Sequence, residues 1–303
     1  MELRPTISIL LPVYNAMPYL PLAVASIFSQ TMTEWEVIAV DDKSTDGSGE
    51  YLDKLQDRRV RVFHSAKNQG ACAALNHAIL ESKGRWLARM DADDVCMPER
   101  LERQLAILSS EEIDLLGTGS YVTDRDLQIC IVNRPPAQHA DITRRASLEI
   151  PLTFGAVTGR CEWWRRWMMD KRVGIAGYEF DLYFRSHRHS QFANIRQPLY
   201  IYRFFGHTRS WRKMSLSAYY KCGTLIRHGF VSGEYGNTML GLFSMIPRPL
   251  LYAAKMVANR NTALSMPKDA SPTLADQEIV NAIVRSLHAQ YSSLCTPASG
   301  LSR

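Results

Sequence analysis

The chain has 303 residues, 22% charged and 46% hydrophobic, a composition that excludes a disordered chain or a coiled coil and leaves room for a large core. Its charge is divided: 16 Lys and Arg stand against 22 Asp and Glu up to Ile150, and 20 against 8 from Pro151 onward. The basic half suits an anionic ligand or surface, and the acidic half keeps carboxylates for another purpose.

Six cysteines, Cys72, Cys96, Cys130, Cys161, Cys222 and Cys295, lack the paired spacing of a disulfide framework or zinc site. The first apolar run, Ile7 to Val13, is interrupted by Ser8 and Pro12, so no signal peptide is expected. The longest apolar tract, Thr238 to Ala258, contains Pro247-Arg248-Pro249 and Lys255, and falls short of the roughly 20 clean residues of a membrane span. The expected compartment is the cytoplasm.

Short apolar runs alternate with helical patterns through the first third, the mark of βαβ units and a mostly parallel sheet. Strands are expected at Ile7–Leu11, ended by Pro12, at Trp35–Val40, at Val60–His64 and at Trp86–Met90. Between them, Tyr19–Gln30 places Leu22, Val24, Ile27 and Phe28 at helical spacing, and a helix opens near Asp46 in a run of capping residues. An alanine-rich helix then runs from beyond Gly70 to about Glu81, before a Lys83-Gly84 stop. Pro98–Leu108 reads as a charged amphipathic helix with proline in its first turn, and Asp114–Thr123 as another strand.

From Pro151 to Lys213 the composition shifts to Arg, Trp and Tyr, with 12 cations against 4 anions between Arg160 and Lys213. Boundaries near 115 and 215 divide the chain into 1–115, 116–215 and 216–303. A strand is expected at Leu199–Arg203. The last segment reads as helices with a polar tail from about Pro267, loose after Cys295.

Ligands of open α/β sheets sit beyond the carboxyl ends of the strands. Pro12 to Asn15 follow the first strand, Asp41-Asp42 the second and Asp91-Ala92-Asp93-Asp94 the fourth. Five carboxylates at one crevice repel unless a cation neutralises them, and hard oxygen donors suit Mg²⁺ or Mn²⁺. Alone, Asp41-Asp42-Lys43-Ser44 is more simply a helix-capping run, whereas Asp91 and Asp93 alternate on an extended segment and can approach one ion. No G-x-G-x-x-G follows the first strand and no P-loop is present, which sets aside dinucleotide-binding and P-loop classes. A phosphatase with an aspartate nucleophile would carry its acidic motif after the first strand, not the fourth.

Taken in order, Ile7-Ser8-Ile9-Leu10-Leu11-Pro12-Val13-Tyr14-Asn15, Ser26-Ile27-Phe28-Ser29-Gln30-Thr31, Val40-Asp41-Asp42-Lys43-Ser44-Thr45-Asp46-Gly47, Asn68-Gln69-Gly70 and Asp91-Ala92-Asp93-Asp94 with Pro98 resemble a family 2 nucleotide-sugar glycosyltransferase of the GT-A fold. The resemblance implies an α/β protein with a mostly parallel twisted sheet flanked by helices, followed by a C-terminal helical extension. It implies a nucleotide-sugar donor of UDP type, transfer of a single sugar with inversion, and Mn²⁺ or Mg²⁺. Pro12 and Tyr14 would border base and ribose, Asp42 would hydrogen-bond the pyrimidine ring, and Asn68 would lie on the same side. Asp91 and Asp93 would hold ribose and metal, with Asp94 sharing the metal.

Inverting transfer needs a base for the acceptor hydroxyl. The family supplies it from a Glu-Asp pair followed by an aromatic residue and a second Asp. Here the matching stretch is Gly177-Tyr178-Glu179-Phe180-Asp181-Leu182-Tyr183, with Glu179 where the catalytic Asp is expected and Tyr178 where its Glu partner is expected. Glu179 is the first candidate base and Asp181 the second; a plain surface acid in a helix's first turn is the competing reading. Arg203 and His207 match an Arg and a His that related enzymes place near diphosphate or metal. Arg165-Arg166-Trp167 resembles the Gln-x-x-Arg-Trp motif of processive synthases but precedes the base, so it is read as structural or acceptor-facing.

Trp163, Trp164, Trp167 and Trp211 could stack on sugars, although core packing is the commoner role. The tract with Met239, Leu242, Phe243, Leu250 and Met256 fits either core packing or the inner face of a membrane, aided by Arg248, Lys255 and Arg260. No nucleic-acid-binding module is visible. The expected role is therefore addition of a sugar to a glycan or lipid-linked acceptor in surface polysaccharide assembly. The alternative is a nucleotide-sugar-binding or regulatory protein that has lost its base, suggested by Tyr178-Glu179 in place of Glu-Asp.

Overall fold

The structure, a computed structural model, describes residues 5–144, 146–174, 177–205, 211–229 and 271–294, with isolated positions between 236 and 242. Apolar runs flanked by turn residues become strands and amphipathic segments become helices, in the order β1 (Ile7–Val13), α1 (Leu20–Phe28), β2 (Trp35–Asp41), α2 (Ser48–Asp53), β3 (Val60–His64), α3 (Ala71–Glu81) and β4 (Trp86–Arg89). Then follow β5 (Val95–Cys96), α4 (Arg100–Ser110), β6 (Leu115–Thr123), β7 (Ile129–Asn133), α5 (His139–Thr143), β8 (Thr158–Arg160), α6 (Cys161–Arg166), α7 (Tyr178–Ser186), β9 (Phe192–Arg203), α8 (Trp211–Thr224) and α9 (Leu274–Leu294).

The strands form one sheet in the order β3-β2-β1-β4-β8-β6-β9-β5, with β7 added to β6. β3, β2, β1 and β4 are mutually parallel, β8 runs against both β4 and β6, and β9 is parallel to β6. This is the mixed sheet of a GT-A-type α/β fold. Alternation along β1 sends Ile7, Ile9, Leu11 and Val13 toward Leu20, Ala23, Val24 and Ile27 of α1, and Leu10 toward Leu75, Ala78 and Ile79 of α3. Each fully buried aliphatic side chain contributes about 1.5–3 kcal/mol. Trp163 and Trp164 belong to the second of these clusters and are core residues, with Trp164 donating Nε1–H to the Leu87 carbonyl at 3.2 Å. Arg165 donates to the Ser82 carbonyl at 3.0 Å at the end of α3, a structural contact.

Several boundaries differ from the sequence expectation. Pro12 does not end β1: it lies beyond the last β1–β4 pair, Leu10 with Arg89, on the edge turned to β4, so its missing N–H empties no rung. β9 begins at Phe192, not Leu199, because Pro198 falls at a register shift opposite Gly119 instead of stopping the strand. Gly119 is required there, since a Cβ would lie 2.5 Å from the Arg196 carbonyl oxygen. The short strands β5, β7 and β8 were not foreseen.

The polar tail expected from Pro267 holds α9 instead. Thr273 and Asp276 cap it reciprocally, the Thr273 N–H donating to Asp276 Oδ2 at 2.9 Å and the Asp276 N–H to Thr273 Oγ1 at 3.2 Å. Its Val280 and Leu287 pack against Leu22 and Ala25 of α1 and Leu199 and Ile201 of β9. Residues from Cys295 onward, and all of those from 243 to 270, lie outside the described residues.

Candidate active site

The carboxyl ends of β1, β2 and β4 open onto one side, and each ends in a polar turn. Tyr14, after β1, is 53% exposed beside Pro12, while Asn15 is in the left-handed region at φ 47°. Asn15 Oδ1 accepts the Thr45 N–H at 2.8 Å, and Ser44, Ser48 and Asp46 side chains accept the amides of Asn15, Ala16 and Met17. The turns after β1 and β2 are thereby locked together.

Of the five carboxylates, Asp41 and Asp42 are each held by close partners of their own. Asp41 accepts the Ser44 amide at 3.1 Å and pairs with His64 Nδ1 at 3.2 Å. Asp42 accepts the Gln69 and Gly70 amides at 2.9 and 2.6 Å, fixing the loop that carries exposed Asn68. Backbone amides and His64 hold this pair. Asp91, Asp93 and Asp94 remain as the acidic group after β4.

These three sit among groups from the second half of the chain. Arg203, at the end of β9, donates its backbone N–H to Asp94 Oδ1 at 2.7 Å, and its guanidinium lies 4.5 Å from the Tyr19 ring centroid. The Asp91 N–H donates to the buried Tyr200 hydroxyl at 3.2 Å. Arg89, 2% exposed, pairs through Nη2 with Asp91 Oδ1 at 2.5 Å. Burial, then the charge of Asp91, raises the Asp93 carboxyl to about 6, and burial followed by Asp93 and Asp91 holds the Asp94 carboxyl well above the usual range. Burial also lowers the proton affinity of Arg203, against the pull of Asp94 and Asp93.

A divalent ion fits this group. Asp94 Oδ2 is buried without a hydrogen-bond partner, and oxygen donors that repel one another suit a hard cation. Among the described residues no three His, Cys, Asp or Glu side chains already converge as a metal site, so ligands would have to come from the diphosphate as well. His207, expected near the metal, lies outside the described residues.

A cavity of its own lies against α7 and α8. Glu179 is open to a cavity of about 340 Å³ lined by Glu149, Leu152, Phe180, Tyr183, Ser217 and Lys221, among others. Although solvent reaches it there, protein surrounds it, and that loss of hydration, followed by the charge of Asp91, raises it to about 7 against the pull of Arg89 and Lys221. Asp181 faces elsewhere. Fully buried, it accepts Thr224 Oγ1–H at 2.9 Å, which fastens α7 to α8, and pairs with Arg185 Nε, one turn further along α7, at 2.7 Å. This geometry corrects its reading as a second candidate base.

Some contributors escaped the sequence. Arg89, the last residue of β4, stands two residues before Asp91, a spacing that on extended backbone turns both side chains to one face and could have flagged it. Gly155 could not have been found so: a Cβ there would lie 2.5 Å from both Asp91 Oδ2 and the Tyr200 hydroxyl.

A family model described as Glycosyl transferase family 2 matches residues 8–171. The chain belongs to glycosyl transferase family 2. This family member is 34% identical over 125 residues to the "Putative teichuronic acid biosynthesis glycosyltransferase TuaG" of Bacillus subtilis (strain 168), covering 41% of the chain and 50% of that protein. It is 30% identical over 115 residues to the "UDP-Glc:alpha-D-GlcNAc-diphosphoundecaprenol beta-1,3-glucosyltransferase WfgD" of Escherichia coli, covering 38% and 45%. These matches span about half the length of the relatives.

Among solved structures, S. aureus TarS 1–349 in complex with UDP superposes with a TM-score of 0.60 at 14% identity, covering 95% of this chain and 88% of that one. The mannosyltransferase PcManGT from Pyrobaculum calidifontis, in complex with GDP-Man and Mn²⁺, gives 0.55 at 14% identity, covering 96% and 83%. At such identities the likeness is one of fold.

Proposed function

We propose that this family 2 member transfers a single sugar, with inversion, from a UDP-type donor to a glycan or lipid-linked acceptor. The observation that carries the reading is the disposition of two carboxylate groups. Asp91, Asp93 and Asp94 stand at the strand ends beside Arg203, and Glu179 lines a separate cavity with its proton affinity set near neutrality. Pro12, Tyr14, Asp42 and Asn68 would border the nucleoside, and Asp91 the ribose. Residues 1–115 would form the donor half, 116–215 the acceptor half and 216–303 a helical extension.

Asp93 and Asp94 would hold Mn²⁺ or Mg²⁺, which when bound supplies positive charge to the diphosphate. Arg203 adds a guanidinium on the same side. Glu179 takes the proton of the acceptor hydroxyl at a carboxylate oxygen as that hydroxyl attacks the anomeric carbon from the face opposite the diphosphate. At about 7 its proton affinity leaves a substantial fraction ionised at neutral pH while keeping it a competent base.

The glucosyltransferase and teichuronic acid relatives support a place in surface polysaccharide assembly, with a lipid-linked acceptor at the inner face of a membrane. The proposed contact is peripheral, and no helix among the described residues is long and apolar enough to cross a membrane. A screen of nucleotide-sugars for Mn²⁺-dependent release of UDP tests the reading. Release from one donor supports transfer; tight binding without turnover under every acceptor tried would favour the nucleotide-sugar-binding protein suggested by Tyr178.

A further inference from the structure

A second cavity lies at the far end of α7, outside the site described above. About 390 Å³ in volume, it is walled by Trp167 just after α6, by Phe184 and Arg185 of α7, by the turn His187–His189 that follows, which includes Arg188, and by His228 beyond α8. Among the described residues no acid lines it. The carboxylate beside it, Asp181, lies 4.0 Å from His228 Nε2 and is already engaged by Arg185 and Thr224. The wall is therefore cationic.

Its one large ring is set among those cations. The half-buried Trp167 indole has the His189 ring parallel to it within 15° at 6.0 Å, and the Arg166 and Arg185 guanidinium carbons lie 5.2 and 6.0 Å from its centroid. Arg185 is fixed in place: Nε is held by Asp181, Nη2 donates to the Met168 carbonyl at 3.0 Å, and Nη1 makes no hydrogen bond among the described residues. An indole face beside fixed guanidinium groups matches a sugar ring that bears an anion, the C–H face of the ring packing on the indole and the anion accepting from arginine. A neutral sugar would leave the cations unmatched, and a bare anion would leave the indole uncovered.

This cavity shares a face of α7 with the one that holds Glu179. Phe180 lines that cavity and Phe184 this one, and their rings stack at 5.7 Å within 12°, one helical turn apart. On the facing helical segment the step runs from Lys221 to His228, seven residues or about 10 Å at helical rise, the reach of a short oligosaccharide. We propose that the second cavity is a saccharide subsite for an anionic sugar unit of the acceptor, its ring on Trp167 and its carboxylate or phosphate between Arg185 and Arg188, while the hydroxyl to be glycosylated sits at Glu179. The acceptor's role rests on the transferase reading; the binding itself does not depend on turnover. Trp167 thereby differs from Trp163 and Trp164, which are core residues.

The test is an NMR titration of the full chain with glucuronate, glucose 6-phosphate, glucose and inorganic phosphate. At least one of the two anionic sugars should bind about tenfold or more tightly than glucose and than phosphate alone, the difference that a charge-assisted hydrogen bond or a packed ring makes, and which of the two binds more tightly tells carboxylate from phosphate. Arg188→Gln and His189→Ala, both at exposed positions, should weaken that binding by about tenfold with the circular dichroism spectrum unchanged, whereas Glu179→Gln should leave it as it is. Glucose binding as tightly as both anionic sugars, phosphate binding as tightly as both, or no weakening in Arg188→Gln and His189→Ala would each overturn the subsite. Failure of the transferase reading shows differently, as no UDP release from any donor while this titration stays intact.

Discussion

The backbone N–H of Arg203 donates to Asp94 Oδ1 at 2.7 Å, while Asp94 Oδ2 has no partner. One oxygen is therefore structural and the other is available. Asp94→Asn keeps the accepting oxygen, so its stability in the absence of metal should stay within about 1 kcal/mol of the parent. UDP with Mn²⁺ should stabilise the parent by about 2.7 kcal/mol at a hundredfold excess over Kd. Asp93→Asn and Asp94→Asn should lose most of the Mn²⁺-dependent part of that gain. Differential scanning fluorimetry with and without Mn²⁺ reads both, and an equal Mn²⁺ shift in all three proteins would remove the metal from this site.

Glu179 and Asp181 should separate cleanly by mutation. Glu179→Gln should leave UDP binding nearly unchanged and slow transfer by roughly 10²–10⁴-fold, the usual contribution of a general base. Asp181→Asn breaks a buried ion pair, and loss of one partner of such a pair costs about 3–5 kcal/mol. It should lower Tm in a melting experiment before it lowers kcat of the folded protein. A stable Asp181→Asn with a kcat loss as large as that of Glu179→Gln would return Asp181 to the chemistry.

Stability should fall as pH rises through the range where Glu179 ionises. Its folded value, about 7, lies above the ordinary glutamate value of 4.5, so the stabilisation is fully present below 4.5 and is lost as pH passes 7. Asp93, raised to about 6, acts in the same direction. Glu179→Gln should match the parent's Tm near pH 4 and exceed it near about pH 8. A constant Tm difference across that range would show that Glu179 titrates normally. In turnover, the same ionisation should appear as an acid limb near 7, with rate rising as the base is freed.

Gly155→Ala tests the contact between the chain's halves. The added Cβ would press on Asp91 Oδ2 and the Tyr200 hydroxyl, and overpacking of this kind costs about 1–3 kcal/mol. Isothermal titration should show weaker UDP binding along with a lower Tm. Unaltered affinity would mean that Asp91 can retreat without consequence for the donor.

The nucleotide-facing turns were legible in the sequence because parallel strands buried on both faces leave unbroken apolar runs, and the polar residues ending them stand out. β1, β2 and β4 were found this way, with their turns in place. The helix around Pro98 was also found, yet its inward polar residues were not. Arg100 and Gln104 are 1% and 0% exposed, and Gln104 donates to the carbonyls of Leu116 and Ala156, partners that no local pattern reveals. The choice between Glu179 and Asp181 was half legible: residues two apart on a helix point about 200° apart, so one acid at most could face the cavity. Which one did depended on Thr224, and hence on how α8 lies against α7.

β9 carries a consequence for how this protein can be divided. The family match stops at residue 171, but β9 begins at Phe192, runs the length of β6 and ends by pairing with β5. A fragment cut at the limit of similarity would leave nine consecutive residues of β6 with unpaired backbone on one edge, a template for strand addition by other chains. It would also surrender the amide that holds Asp94 and the hydroxyl that receives Asp91. The unit that evolution makes recognisable is therefore shorter than the unit that closes the β6 edge of this sheet.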